Sequence, residues 1–176
     1  MSILGEDITP KKRELSAEEL AFSYDQRLII DGISLEIPEH TTTAIVGPSG
    51  SGKTTLVSLL ARFWDPEKGN VFLGARNVKD YDMDSLMANF SFVFQNVYLF
   101  HDSILNNIRF ARPELTEEKT VILIAHRLKT VSKADQILVL EQGKIVQKGS
   151  HEELLQEDGL YKDFIQERKR LIWIIL

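Results

Sequence analysis

Gly47-Pro48-Ser49-Gly50-Ser51-Gly52-Lys53-Thr54, preceded by Ala44-Ile45-Val46 and followed by Thr55, satisfies the pattern G-x-x-x-x-G-K-[ST] of a phosphate-binding loop. Glycines in such a loop let consecutive backbone N–H groups turn toward a phosphate chain, a shape that residues with a Cβ resist. Lys53 can reach the terminal phosphates as a point charge, and the Thr54 hydroxyl is placed to ligate Mg²⁺. A helix starting near Gly52 would add its positive N-terminal end. The expected nucleotide contacts are therefore Gly47, Pro48, Ser49, Gly50, Ser51, Gly52, Lys53, Thr54 and Thr55. The flanks fit as well: 41–46 reads as a short buried strand, and 53–63 carries apolar residues at helical spacing.

Working outward, Leu20 to Tyr24 and Ile33 to Ile37 read as strands, the second alternating cleanly up to Pro38. This pair is expected to form a small antiparallel sheet within the first forty residues. Residues 1–16 are polar and mixed, which predicts a frayed start. Beyond the loop helix, Trp64-Asp65-Pro66-Glu67-Lys68-Gly69 is a turn, followed by a strand over 70–73. A short helix is predicted over 82–88 and a strand over 90–94. Val121 to Ala125 reads as a buried strand. Gln136 to Leu140 and Lys144 to Gln147 flank Glu141-Gln142-Gly143, a hairpin signal. Ser150-His151-Glu152-Glu153 is a capping box opening a helix over 152–156, and 160–170 completes an amphipathic helix. Leu171 to Leu176 is an apolar tail much shorter than the ~20 residues a bilayer requires.

The chain has 176 residues and a formal charge of −5, with no basic stripe interleaved with aromatics, so nucleic acid is not an expected partner. It has no cysteine, which excludes a disulfide framework and thiolate chemistry. Residues 1–9 carry Glu6 and Asp7 and lack the basic and apolar regions of a signal peptide.

Several further segments resemble, in order, the ATP-binding domain of ABC transporters, particularly of exporter type. They are Phe22-Ser23-Tyr24-Asp25, Ser34-Leu35-Glu36-Ile37-Pro38, the phosphate loop, Val93-Phe94-Gln95-Asn96, Ile124-Ala125-His126-Arg127-Leu128, and the run from Ala134 through His151. The resemblance spans roughly residues 16–170. It implies that Tyr24 stacks on adenine, for which a flat π-face is suited. Gln95 matches the glutamine that touches Mg²⁺ and a water, so Thr54 and Gln95 are the implied metal contacts. His126 matches the histidine that contacts the terminal phosphate, making His126 and Gln95 the implied catalytic pair. ATP and Mg²⁺ are the implied cofactors. The implied partners are transmembrane domains, reached through the segment after Gln95, and a second ATP-binding domain. The implied location is the cytoplasm or the cytoplasmic face of a membrane. The implied fold is α/β: a mostly parallel sheet flanked by helices, with a small antiparallel β subdomain.

One departure stands out. Between Gln95 and His126 the family carries a helical subdomain, a Leu-Ser-Gly-Gly-Gln signature loop and a Walker B strand ending in Asp-Glu. This sequence contains no Gly-Gly and no four-residue apolar run followed by Asp-Glu. Ile137-Leu138-Val139-Leu140-Glu141 is the nearest imitation, but it follows His126 and lacks the aspartate. The sequence thus reads as a single, internally shortened ATP-binding domain over 1–176, its helical subdomain absent, with 1–15 and 171–176 as poorly ordered tails. Without the Asp-Glu pair, Mg²⁺ would lean on Thr54, Gln95, phosphates and water. No carboxylate would polarise the attacking water, a role worth about 10²–10⁴-fold. Impaired hydrolysis is the expectation, with a non-hydrolysing nucleotide-binding or regulatory fragment as the alternative. Another P-loop kinase or GTPase is a weaker fit, because neither Asn-Lys-x-Asp nor Asp-x-x-Gly occurs.

Overall fold

The computed structural model describes residues 6, 10–90, 120–124 and 131–172, with side chains through residue 166. The expected strand over 90–94, Gln95 and His126 all fall outside the described residues, Phe90 excepted.

Among the described residues, two four-stranded sheets organise the chain. The first is antiparallel. Strand β1, Leu15–Tyr24, and β2, Arg27–Ile37, are joined by the two-residue turn Asp25-Gln26, which sets Tyr24 opposite Arg27. Asp25 takes a left-handed φ of 55°, which a short acidic side chain tolerates. Along β2 the alternation works as read: Ile33, Leu35 and Ile37 are buried, while Ser34 and Glu36 are exposed. The sheet takes more of the chain than the first forty residues. Strand β4, Lys68–Leu73, returns from the phosphate-loop helix to pair with β1, and β5, Arg76–Asn77, pairs with β4. β1 also begins earlier than its apolar run suggests, because Leu15 and Ala17 are buried against β2 and β4.

The second sheet has the order β6-β3-β7-β8. Strand β3, Thr42–Val46, lies between two parallel neighbours, β6, Val121–Ile124, and β7, Gln136–Glu141. Strand β8, Lys144–Gly149, returns antiparallel to β7, as the Glu-Gln-Gly turn predicted. The strands read over 41–46 and 121–125 therefore share one sheet as parallel neighbours, Ala125 lying just beyond the described residues.

Side-chain alternation on β3 and β7 splits the core in two. Ile45, Leu138 and Leu140 face helix α1, Lys53–Leu60, together with the antiparallel sheet. Ala44, Val46, Ile137 and Val139 face the two C-terminal helices, α3, His151–Gln156, and α4, Leu160–Ile172. (Helix α2, Met83–Met87, caps its own start through Asp82, whose side chain accepts from Ser85.) An eight-residue helix such as α1 is marginal in isolation. Packing holds it: Leu56, Leu59 and Leu60 are almost fully buried, each worth about 1.5–3 kcal/mol.

α1 stops at Leu60, short of the Phe63 that apolar spacing suggested, for a local reason. Arg62 adopts a left-handed φ of 57°, with its N–H on Leu59 O at 3.0 Å and the Phe63 N–H on Ser58 O at 2.8 Å. Those two bonds make a Schellman-type stop. The buried Arg62 guanidinium then donates to Val78 O and Tyr81 O at 2.9 and 3.0 Å, tying the helix end to the next segment. At α3 the capping box is present in both directions, through Ser150 and Glu153.

Candidate functional site

β3 is buried from Thr43 through Val46 and ends at Gly47, where the chain turns away from the sheet with φ 146°. A Cβ on Gly47 would lie 2.0 Å from Leu140 O on β7, so only glycine lets the loop leave the strand this closely. The other wall is the β7–β8 turn. Gly143 donates from its N–H to Ser51 O at 3.1 Å and accepts from Asp31 N–H at 3.0 Å. Lys144 Nζ pairs with Asp31 at 3.0 Å across the same junction. The loop is thus braced between β2, β7 and β8 rather than free.

At the centre sits Lys53, only 8% exposed. Its Nζ donates to Gly47 O at 3.0 Å, Pro48 O at 2.6 Å and Ser51 Oγ at 3.3 Å. No ion pair among the described residues includes it. Burial pushes its pKa below the ordinary value. Lys53 is also the first residue of α1, whose N-cap Gly52 supplies no side-chain cap and whose first turn holds no acidic residue. Among the described residues, a cation held by neutral oxygens alone and an uncapped helix start therefore converge on one point. Both favour an anion there.

A cleft of about 230 Å³ opens over this point, lined by Tyr24, Arg27, Ile29, Gly50, Gly52, Lys53, Thr54 and Thr55. Of the two threonines in its lining, Thr54 is exposed and Thr55 is buried. Pro48, Ser49 and Gly50 form an exposed rim. A larger hollow of about 500 Å³ around Glu19, Asp31, Ser34 and Lys144 has neither a glycine loop nor a helix start. The smaller cleft is the better chemical site. Tyr24 stands beside it, 42% exposed, with its ring edge-on to Phe22 at 5.0 Å and 88° and to Trp64 at 6.1 Å and 90°.

The structure therefore brings together Tyr24 and the loop from Gly47 to Thr55, while Gln95 and His126 lie outside the described residues. Among the described residues no group of His, Asp and Glu could hold a metal ion by itself. Three residues near the site were not anticipated. Arg27 was within reach, since a two-residue turn after Tyr24 puts it opposite. Ile29 and Trp64 carried no such signal, because their places depend on how β2 and the turn after α1 dock.

The sequence model of the ABC transporter family matches residues 30–152, more than half of the chain. An ATP-dependent lipid A-core flippase of Vibrio vulnificus (strain CMCP6) is 29% identical over 234 residues, covering 85% of this chain and 40% of that protein. The corresponding flippase of Haemophilus ducreyi is 30% identical over 232 residues, with 84% and 40% coverage. The chain thus spans about 40% of the length of these relatives. The Vibrio match extends over 234 residues where this chain has 176 in all, so at least 58 positions of the relative have no counterpart here. Among solved structures, a bacterial Atm1-family ABC exporter with ATP bound superimposes with a TM-score of 0.78 at 26% identity, covering 92% of this chain and 43% of that one. The chain belongs to the ABC transporter family, as a nucleotide-binding domain of the exporter type.

Proposed function

We propose that this domain binds Mg·ATP in the cleft between Tyr24 and the phosphate loop, and that it turns ATP over slowly or not at all. Lys53 carries the first half: a buried ammonium held by three neutral oxygens has no anionic partner among the described residues, which favours a phosphate there. Tyr24 takes the adenine, the N–H groups from Gly50 to Thr55 take the phosphates, and Thr54 with Gln95 takes Mg²⁺. His126 takes the terminal phosphate, as its place in the run Ile124-Ala125-His126-Arg127-Leu128 of the family resemblance implies.

The second half rests on the positions the chain lacks. More than fifty relative positions are without counterpart, and the sequence holds neither a signature loop nor an Asp-Glu after an apolar strand. A phosphate and a water can still be positioned, but the sequence lacks the Asp-Glu motif whose glutamate would polarise that water. An ABC-type ATP-binding domain with impaired hydrolysis is therefore the reading of this chain, with a nucleotide-binding module without turnover as the alternative; a complete domain would drive transport. Such a domain would work with transmembrane domains and a second nucleotide-binding domain at the cytoplasmic face; no helix among the described residues is itself long and apolar enough to cross a membrane. Cargo selection would belong to the transmembrane domains.

Calorimetric titration with Mg·ATP tests the binding half. Binding should be measurable, strongly weakened in Lys53→Ala, and weakened by about 1–3 kcal/mol in Tyr24→Ala through lost base stacking. Equal affinity in both variants would move the site elsewhere.

A further inference from the structure

The turn that leaves the far end of α1 is fastened to the strand that carries Tyr24. Glu67 donates from its N–H to Ala21 O at 3.0 Å, and its carboxylate accepts from Ser23 N–H at 3.3 Å and Ser23 Oγ at 3.2 Å. These bonds set Trp64 against the end of β1. Its ring meets Tyr24 edge-on at 6.1 Å and 90° and Phe22 at 6.4 Å and 46°, while Phe22 itself meets Tyr24 edge-on at 5.0 Å. Tyr24 is thus held by two rings at once. Yet Trp64 remains 51% exposed and Phe22 is buried, so the indole is a poor investment for the core alone. A tryptophan packed at 90° to a neighbouring tyrosine restricts that tyrosine's rotation, and Tyr24 still keeps 42% of its surface exposed.

We propose that Trp64 is a positioning residue for adenine recognition: it fixes the Tyr24 ring as a stacking platform, and Glu67 fixes Trp64. The inference rests on Tyr24 being the base platform. It goes further by assigning the nucleobase-dependent part of the affinity to a turn that belongs to the phosphate-loop helix. Base and phosphate recognition then share one element, because α1 begins at Lys53 and ends in the turn that carries Trp64. Organising a flexible aromatic side chain in advance removes part of the ordering cost of binding.

The test compares two ligands on the intact chain, Mg·ATP and Mg·tripolyphosphate, by calorimetry. Trp64→Ala should lower ATP affinity by about threefold to tenfold, the scale of one aromatic pair, and leave tripolyphosphate affinity unchanged. Trp64→Phe should retain most of the ATP affinity, since a phenyl ring can keep an edge contact. Glu67→Gln, which removes the charge but little volume, should show the same base-selective loss at smaller size. It also serves as the second variant if Trp64→Ala proves unstable. Equal losses for both ligands, or no loss for ATP in either Trp64→Ala or Glu67→Gln, would overturn the inference. Tyr24→Ala separates the two readings. If it fails to lower ATP affinity selectively, the base-platform reading itself is wrong. If it does so while the Trp64 and Glu67 variants do not, only the support role fails.

Discussion

Replacing Lys53 by methionine should weaken nucleotide binding without weakening the protein, and that opposition of signs separates a functional lysine from a structural one. In the ligand-free protein Nζ makes three hydrogen bonds, to Gly47 O, Pro48 O and Ser51 Oγ. Against these stands the cost of burying an ammonium with no anionic partner among the described ion pairs. Pro48 is exposed and Gly47 half-exposed, so water can satisfy their carbonyls, and methionine fills the space with a similar stem. Net stability should be unchanged or raised. Binding behaves differently, because a hydrogen bond to a charged group is worth about 1.5–3 kcal/mol, or about tenfold to one hundredfold in Kd. The pH dependence follows the same logic. Burial lowers the Lys53 pKa from 10.5, so between the lowered value and 10.5 the unfolded chain binds more protons than the folded one. In that window Lys53 makes stability rise with pH, and Lys53→Met should lose this contribution. Thermal unfolding without nucleotide and calorimetry with Mg·ATP make the comparison. A Lys53→Met protein that melts clearly lower but binds ATP normally would refute the reasoning and make Lys53 a loop brace.

Gly47→Ala should fail both ways: its Cβ would sit 2.0 Å from Leu140 O, at a cost in denaturant unfolding of at least about 1–3 kcal/mol, and nucleotide binding should be lost with the loop geometry. Arg62→Ala should destabilise by about 1–3 kcal/mol or more by stranding Val78 O and Tyr81 O, with the fall read as a lower Tm. Burial pushes the Tyr161 phenol up to about 12 from 10.0. The folded chain keeps that proton while the unfolded chain releases it, so stability should fall as pH rises through 10 to 12. Tyr161→Phe should remove that part of the alkaline loss while giving up the 2.6 Å contact between the phenol and His151 Nδ1.

The phosphate loop was legible because a single short run contains the whole device: strand, glycines, lysine and helix. The β7–β8 hairpin and the Ser150 capping box were legible for the same reason, since their partners lie a few residues apart. The antiparallel pairing of β1 and β2 was expected, but not the tight turn at Asp25-Gln26 or the start of β2 at Arg27 instead of Ile33. What escaped was set by distance along the chain. Nothing local says that β4 returns to β1 across the entire loop helix, enlarging the antiparallel sheet beyond the first forty residues. Nothing local makes Trp64 a neighbour of Tyr24, forty residues earlier in the chain. The early stop of α1 was hidden because Arg62, a good helix former, takes a left-handed conformation to bury its guanidinium against carbonyls from the next segment. Tertiary hydrogen bonds overrode propensity there. The role of Gly143 as a brace on Ser51 was equally invisible, since a hairpin turn reads as a turn whatever it leans on.

Retention of nucleotide without chemistry is most directly tested by a single-turnover experiment. The chain, in excess, is mixed with γ-labelled Mg·ATP; filter retention reads bound nucleotide and released phosphate reads hydrolysis. The expected result is retention that is lost in Lys53→Ala, with phosphate release near the uncatalysed rate and no rise as protein concentration increases. Phosphate release that scales with protein, survives further purification and vanishes in Lys53→Ala would contradict it.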